Sequence, residues 1–304
     1  MPGLPVIASL AALAAGLLAG GPATPLPAQQ AGRQVAFSAS DTIVVGGRPR
    51  AYELHVPRAG AGAPRPLLIA LHGAGDNPRD FRLGTAIDTV ADRAGFVVAY
   101  PAAWSGSQRR WALRCGACTE ADAAGIDDVE FVRAVIDSVA AIVPVDRHRI
   151  YVVGFSMGAQ LAYVIGCAMP ETIAGIGVVG ILFPERLRDS CRGTPPVPAA
   201  IMVGTADPAA PWEGRMSARE RMLRPDSTAA WLARRNGCAG TMSLDTIPAR
   251  DRSAQLIQRY AWAECPGGAE VRLYRLEGER HFWPFYNLNA SSELATFLLR
   301  FRRE

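Results

Sequence analysis

Gly154-Phe155-Ser156-Met157-Gly158 sets a hydroxyl between two glycines, where the β-branched run from Ile150 gives way to an apolar stretch beginning at Met157. A serine on a sharp strand-to-helix turn lifts its Oγ clear of the chain, and the glycines relieve crowding where the backbone doubles back. That arrangement suits nucleophilic attack on an acyl carbon, with the Met157 amide at the open helix end as one donor to a developing oxyanion. A hydroxyl is a weak nucleophile at neutral pH, so a base must accept its proton and a carboxylate must orient that base.

Four histidines are available. His55 falls inside an early alternating pattern, His148 precedes the Ile150 run and so belongs to the far end of its strand, and His72 comes before the serine in the chain. His281 remains, just beyond the apolar run Val271 to Leu276, and is the expected base. Asp207, in Gly204-Thr205-Ala206-Asp207-Pro208, directly follows another apolar run and is the expected acid, whereas Asp226 and Asp245 follow no buried strand. The second oxyanion donor is expected at the Ala74 amide, in His72-Gly73-Ala74-Gly75 after the run Pro66 to Leu71. Trp111 and Trp283, with Trp104, are candidates for an aromatic wall against an acyl group or a sugar, with burial in the core as the alternative.

Positioning these residues requires strands that end on one side of a sheet. Gln34 to Val56 alternates around Gly46-Gly47 and reads as an antiparallel hairpin. Thereafter short apolar runs at 66–71, 96–100, 150–154, 175–179, 200–204 and 271–276 alternate with helical stretches at 81–94, 128–143, 157–169, 227–236 and 291–301. This is an α/β pattern, a mostly parallel sheet with helices on both faces. With the serine elbow at a strand end it predicts the α/β-hydrolase fold, residues 29–304 forming one catalytic domain and about 210–265 a cap or insertion.

A chain of 304 residues that is 49% hydrophobic can bury the core such a domain needs. Every basic residue is arginine, yet the net charge is only +4 and the arginines are scattered, which argues against a nucleic-acid partner. The apolar, small-residue stretch 1–28 reads as a secretory signal peptide, with an N-terminal anchor as the alternative, and predicts a secreted or periplasmic protein without stable membrane insertion after cleavage. Six cysteines in an exported chain suggest three disulfides, and pairing by chain order joins Cys115 to Cys118, Cys167 to Cys191 and Cys238 to Cys265. Cys115-Gly116-Ala117-Cys118 is read as a structural bridge rather than a redox centre, because no thioredoxin-like pattern surrounds it. The histidines lack ligand spacing, so neither a metal nor an organic cofactor is expected.

Leu71 to Asn77 (LHGAGDN), Ile126 to Val132 (IDDVEFV), GFSMG, GTADP and His281-Phe282-Trp283-Pro284 together resemble the polyhydroxybutyrate depolymerase and feruloyl or acetyl xylan esterase family. The resemblance covers about 51–301 and implies an α/β-hydrolase esterase with Ser156, Asp207 and His281 as triad and Ala74 and Met157 as oxyanion donors. It also implies disulfides near Cys167 with Cys191 and Cys238 with Cys265. Gly278-Glu279-Arg280 stands where the family often has a run of glycines, and Phe285 where glycine is common, so these side chains are expected to narrow the site mouth. The substrate implied is a small or oligomeric ester, feruloyl, acetyl or hydroxybutyrate. A peptidase or acyltransferase on the same fold, or a catalytically silent binding protein, are the rival readings.

Overall fold

Short strands that are apolar on both sides need cover on both sides, and the architecture follows from that need. The computed structural model describes residues 37–58, 62–216, 220–248 and 257–304, and the expected signal peptide at 1–28 lies outside the described residues. An N-terminal hairpin of β1 (Phe37–Val45) and β2 (Arg48–Val56) turns at Gly46 and Gly47, both at positive φ. There follow β3 (Arg65–Leu71), α1 (Pro78–Thr85), α2 (Ile87–Ala94), β4 (Val97–Pro101), α3 (Glu120–Ala123), α4 (Asp128–Ile142), β5 (Val145–Phe155), α5 (Met157–Ala168) and β6 (Gly175–Val179). The second half comprises β7 (Phe183–Pro184), α6 (Leu187–Ser190), β8 (Ala199–Gly204), β9 (Arg215–Met216), β10 (Arg221–Leu223), α7 (Pro225–Arg235), β11 (Ser243–Ile247), β12 (Ile257–Trp262), β13 (Val271–Leu276) and α8 (Ala290–Leu298).

Ten of the described strands form one sheet in the order β1-β2-β4-β3-β5-β6-β8-β13-β12-β11. The run from β4 to β13 is parallel, while β1 and β2 at one edge and β11 and β12 at the other are antiparallel. Leu67, Ile69 and Leu71 face one core with Val129, Phe131 and Leu161, whereas Leu68 and Ala70 face the other with Phe81, Ala91 and Phe297. Helices α4, α5 and α7 cover the first face and α1, α2 and α8 the second.

Two departures from expectation have tertiary causes. The helix expected over 81–94 is two helices broken at Ala86, whose φ is 53°, and the break is fixed from outside because the Thr85 carbonyl accepts a hydrogen bond from Ser291 Oγ at 2.7 Å. Within the expected cap, α7 packs on β8 and β13, and β11 and β12 extend the main sheet, so among its described residues only β9 and β10 stand apart, in a small sheet with β7. Disulfides join Cys115 to Cys118, Cys167 to Cys191 and Cys238 to Cys265, the pairs that chain order suggests.

Candidate active site

Parallel strands bring their C-terminal ends to one edge of the sheet, and the loops after β3, β5, β8 and β13 meet there. Between β5 and α5, Ser156 adopts φ 52° and ψ −119°, a conformation that costs a non-glycine residue about 1–3 kcal/mol and persists only where the surroundings enforce it. Glycines make that enforcement possible. A Cβ on Gly154 would fall inside the Gly158 carbonyl, so α5 can fold back on β5 only because Gly154 lacks a side chain, and one on Gly158 would collide with the Leu71 and His72 carbonyl oxygens, so α5 can press against the end of β3 only because Gly158 lacks one. The Ser156 amide donates to Val179 O at 2.9 Å and fastens the turn to β6.

His281 Nε2 lies 3.0 Å from Ser156 Oγ, and Nδ1 lies 2.8 Å from Asp207 Oδ2. Asp207 is buried, and its other carboxylate oxygen accepts the Ala209 and Ala210 amides at 2.7 and 3.0 Å, which holds the side chain in register with the imidazole. With Nδ1–H donating to the carboxylate, Nε2 turns its lone pair to the serine hydroxyl. The ring also lies on Phe155, with centroids 4.7 Å apart. All three residues singled out from sequence therefore meet in one hydrogen-bonded row.

The loop after β3 leans over Ser156, since a Cβ on Gly73 would stand 3.6 Å from Ser156 Cβ. Gly75 donates to Arg109 O and Asp76 to Gly73 O, whereas among the described residues no backbone acceptor meets the Ala74 or Met157 amide. The Met157 amide, next in chain to Ser156, and the Ala74 amide, next to Gly73 in the loop over Ser156, thus remain the candidate donors expected from the sequence.

The two tryptophans of the expected aromatic wall require correction. Trp111 is fully buried and its Nε1–H donates to His72 O at 2.8 Å, so it props the Ala74 loop from behind. Trp283 is buried against Phe81 with its Nε1–H on Ser291 Oγ at 2.9 Å, and it anchors the His281 loop to α1 and α8. Each indole N–H has a partner in the interior, so burying the large apolar ring leaves no donor unpaired.

Expected crowding of the site mouth by Glu279 and Phe285 is likewise absent. Phe285 is buried in the core, and Glu279 folds back beneath the loop, where its carboxylate accepts the Tyr286 and Asn287 amides at 3.3 and 2.9 Å. Its backbone oxygen accepts the Ala206 amide at 3.0 Å, so Glu279 couples the His281 loop to the Asp207 loop.

Other supports were silent in the sequence. His72, set aside as a base, is buried, with Nδ1–H donating to Gly73 O at 2.7 Å and Nε2 accepting from the Ala103 amide at 3.1 Å. Burial holds its pKa below the ordinary imidazole value, consistent with the neutral tautomer those two bonds demand. Asp127 caps α4, and Asp128 is buried on Arg50 and accepts the Ala112 amide at 2.6 Å, which pins the segment bearing Trp111. Cys115, Cys118 and Asp122 cluster at metal-ligand distances, but the two sulfurs are bonded to each other and so supply no thiolate.

Residues 50–194 match the family model described as Esterase PHB depolymerase. NocK of Nocardia uniformis subsp. tsuyamanensis, whose name describes an esterase, is 30% identical over 262 residues, covering 80% of this chain and 73% of that protein. The chain belongs to the PHB depolymerase esterase family. This esterase is a carboxylic ester hydrolase of the α/β-hydrolase fold. Feruloyl esterase B of Piromyces equi is 27% identical over 225 residues, which are 71% of this esterase but 39% of the fungal protein, so the chain spans well under half of that relative's length. An acetyl xylan esterase from Aspergillus awamori shares the fold, with a TM-score of 0.57 at 13% identity over 85% of this esterase and 98% of the neighbour.

Proposed function

We propose that this esterase works by serine acyl transfer, with Ser156 as nucleophile, His281 as general base and acid, and Asp207 as the carboxylate that orients the imidazole. What carries the reading is the hydrogen-bonded row itself, Ser156 Oγ to His281 Nε2 at 3.0 Å and His281 Nδ1 to Asp207 Oδ2 at 2.8 Å. Ser156 attacks the ester carbon as its proton passes to Nε2, and Asp207 stabilises the imidazolium without taking a proton. Charge that develops on the carbonyl oxygen is met by the Ala74 and Met157 amides, where each donor is worth about 3 kcal/mol of transition-state stabilisation. The tetrahedral intermediate collapses by expelling the alcohol, whose oxygen receives the proton from Nε2. Water then repeats the sequence on the acyl-enzyme, releasing acid and free Ser156.

For the substrate we infer feruloyl or acetyl esters of polysaccharide fragments, a reading supported by the family and by the feruloyl esterase relative. Hydroxybutyrate oligomers are the second reading, favoured by the family description. Three disulfides and the apolar stretch at 1–28 support export, to the periplasm or outside the cell, with residues 29–304 acting as one catalytic domain.

The test is hydrolysis of methyl ferulate, acetylated xylan and hydroxybutyrate trimer by the wild-type chain and by Ser156→Ala. Loss of about a millionfold in kcat for the variant, with its circular dichroism unchanged, is the expected result. Equal rates in the two proteins would overturn the nucleophile, and a clear preference for the trimer would transfer the substrate assignment to polyesters.

A further inference from the structure

Phe155, the residue before the serine in Gly154-Phe155-Ser156-Met157-Gly158, takes no part in the proton transfers. It is half-buried at the end of β5, and its ring is held among three segments that the site needs. A Cβ on Gly73, in the loop after β3, would stand 3.4 Å from Phe155 Cδ1. One on Gly180, just past β6 and at φ 66°, would stand 3.0 Å from Phe155 Cε2 and 3.2 Å from His281 Nδ1. The phenyl and the imidazole therefore meet in space that Gly180 leaves empty. Their centroids are 4.7 Å apart and their planes 35° from parallel. Rings lying side by side in one plane cannot bring their centroids so close, so the imidazole lies against a face of the phenyl and not on its rim.

The two hydrogen bonds of the imidazole leave one motion weakly held. Both lie in the ring plane, Nδ1 to Asp207 at 2.8 Å and Nε2 to Ser156 at 3.0 Å, so they fix the ring along the row and resist roll about it least. A flat contact on the ring face opposes that roll. The phenyl also responds to charge, since a cation within about 6 Å of an aromatic centroid is attracted by the electron-rich face. The imidazolium forms only as Ser156 gives up its proton, so this attraction is felt in the transition state and not when substrate binds. An aliphatic side chain shields the same ring from water but offers it no such face.

Resting on the serine acyl-transfer reading given above, we propose that Phe155 is a positioning residue for His281, whose ring holds the imidazole against roll and stabilises the imidazolium as the proton leaves Ser156. The effect belongs to the transition state, so loss of the ring lowers kcat and leaves KM in place.

Two substitutions separate the aromatic face from mere bulk. Phe155→Leu keeps an apolar side chain beside the imidazole and removes the face, whereas Phe155→Tyr keeps it. With p-nitrophenyl acetate as substrate, kcat is expected to fall about three- to thirtyfold in Phe155→Leu with KM little changed, and to return close to the wild-type value in Phe155→Tyr. A fluorophosphonate probe, which takes the same attack by Ser156, distinguishes a loosened imidazole from a misfolded chain. Phe155→Leu is expected to reach the wild-type stoichiometry of labelling, but more slowly. Unchanged kcat and labelling rate in Phe155→Leu overturn the proposal while leaving Ser156 as nucleophile. A loss in Phe155→Tyr as deep as in Phe155→Leu, or a reduced labelling stoichiometry, makes the ring a packing element and overturns it, as does a rise in KM that accounts for the loss. Hydrolysis by Ser156→Ala at the wild-type rate overturns the serine reading itself, and the proposal with it.

Discussion

The elbow at Ser156 and the loop that carries His281 hold the two ends of one hydrogen bond by opposite means. The elbow relies on missing atoms. Gly154 leaves room for α5 to fold back on β5 and Gly158 for α5 to approach β3, and any Cβ there meets backbone that cannot yield. The His281 loop relies on buried ones, with Glu279 beneath it, Trp283 locked between Phe81 and Ser291, and Phe285 in the core. Steric exclusion is written into five consecutive residues, whereas the loop's supports span 279–291 and reach across to Thr85. The first kind of site is therefore more brittle to small changes in sequence, and the second fails by degrees.

The comparison can be broken at the point the two regions share. Asp207→Asn leaves the elbow and the loop folded but offers the imidazole the wrong hydrogen-bond partner, and kcat on an ester is expected to fall by about ten-thousandfold. Retained kcat in a folded variant would remove Asp207 from the relay. Gly158→Ala strikes the elbow alone, and because the clash is with the Leu71 and His72 carbonyls we expect a loss of about 3 kcal/mol or more in chemical denaturation, with esterase activity lost alongside.

Glu279→Gln strikes the loop alone. The amide can still accept one of the two backbone N–H groups, so the expected cost is about 1–3 kcal/mol, with kcat reduced and KM little changed, measured by denaturation and steady-state kinetics. An unaltered kcat would mean that the His281 loop does not depend on this carboxylate.

His72, behind the Ala74 loop, gives a pH signature. Its folded-state pKa is lowered by burial, so below the ordinary histidine value of about 6.5 the unfolded chain takes up a proton that the folded chain refuses. Stability contributed by the neutral ring is present above that pH and is lost as pH falls through it, with a limiting slope of about 1.4 kcal/mol per pH unit until the folded-state pKa is reached. His72→Asn should flatten this slope in denaturation curves between pH 7 and pH 5. Trp111→Phe removes the bond to His72 O and leaves a small cavity where the indole was, and is expected to cost about 1–3 kcal/mol in chemical denaturation.

That Ser156, His281 and Asp207 meet was legible because each sits where an apolar run stops, and chain order in this fold leaves one histidine and one aspartate in the right places. The tryptophans were misread because indole chemistry fits a sugar-binding wall and a hydrogen-bonded core equally well, and composition cannot tell which side of a loop faces water. Glu279 was misread for the same reason. A glutamate beside a catalytic loop is ordinarily solvated, and only two amides converging beneath it make burial favourable. The antiparallel strands β11 and β12 escaped notice because half-exposed edge strands carry a weak pattern.

By itself the sequence determined the alternation of strands and helices, the order of Ser156, Asp207 and His281, and the glycines of the elbow, because each depends on local sterics or hydrophobic period. Tertiary structure alone decided the 3.0 and 2.8 Å spacings of the relay, the inward turn of Trp111, Trp283 and Glu279, and the exposure of Phe282 and Tyr286. Those depend on which groups from distant segments come to share one loop, where a buried donor or acceptor has to find its partner and an aromatic ring without room inside is left to the solvent.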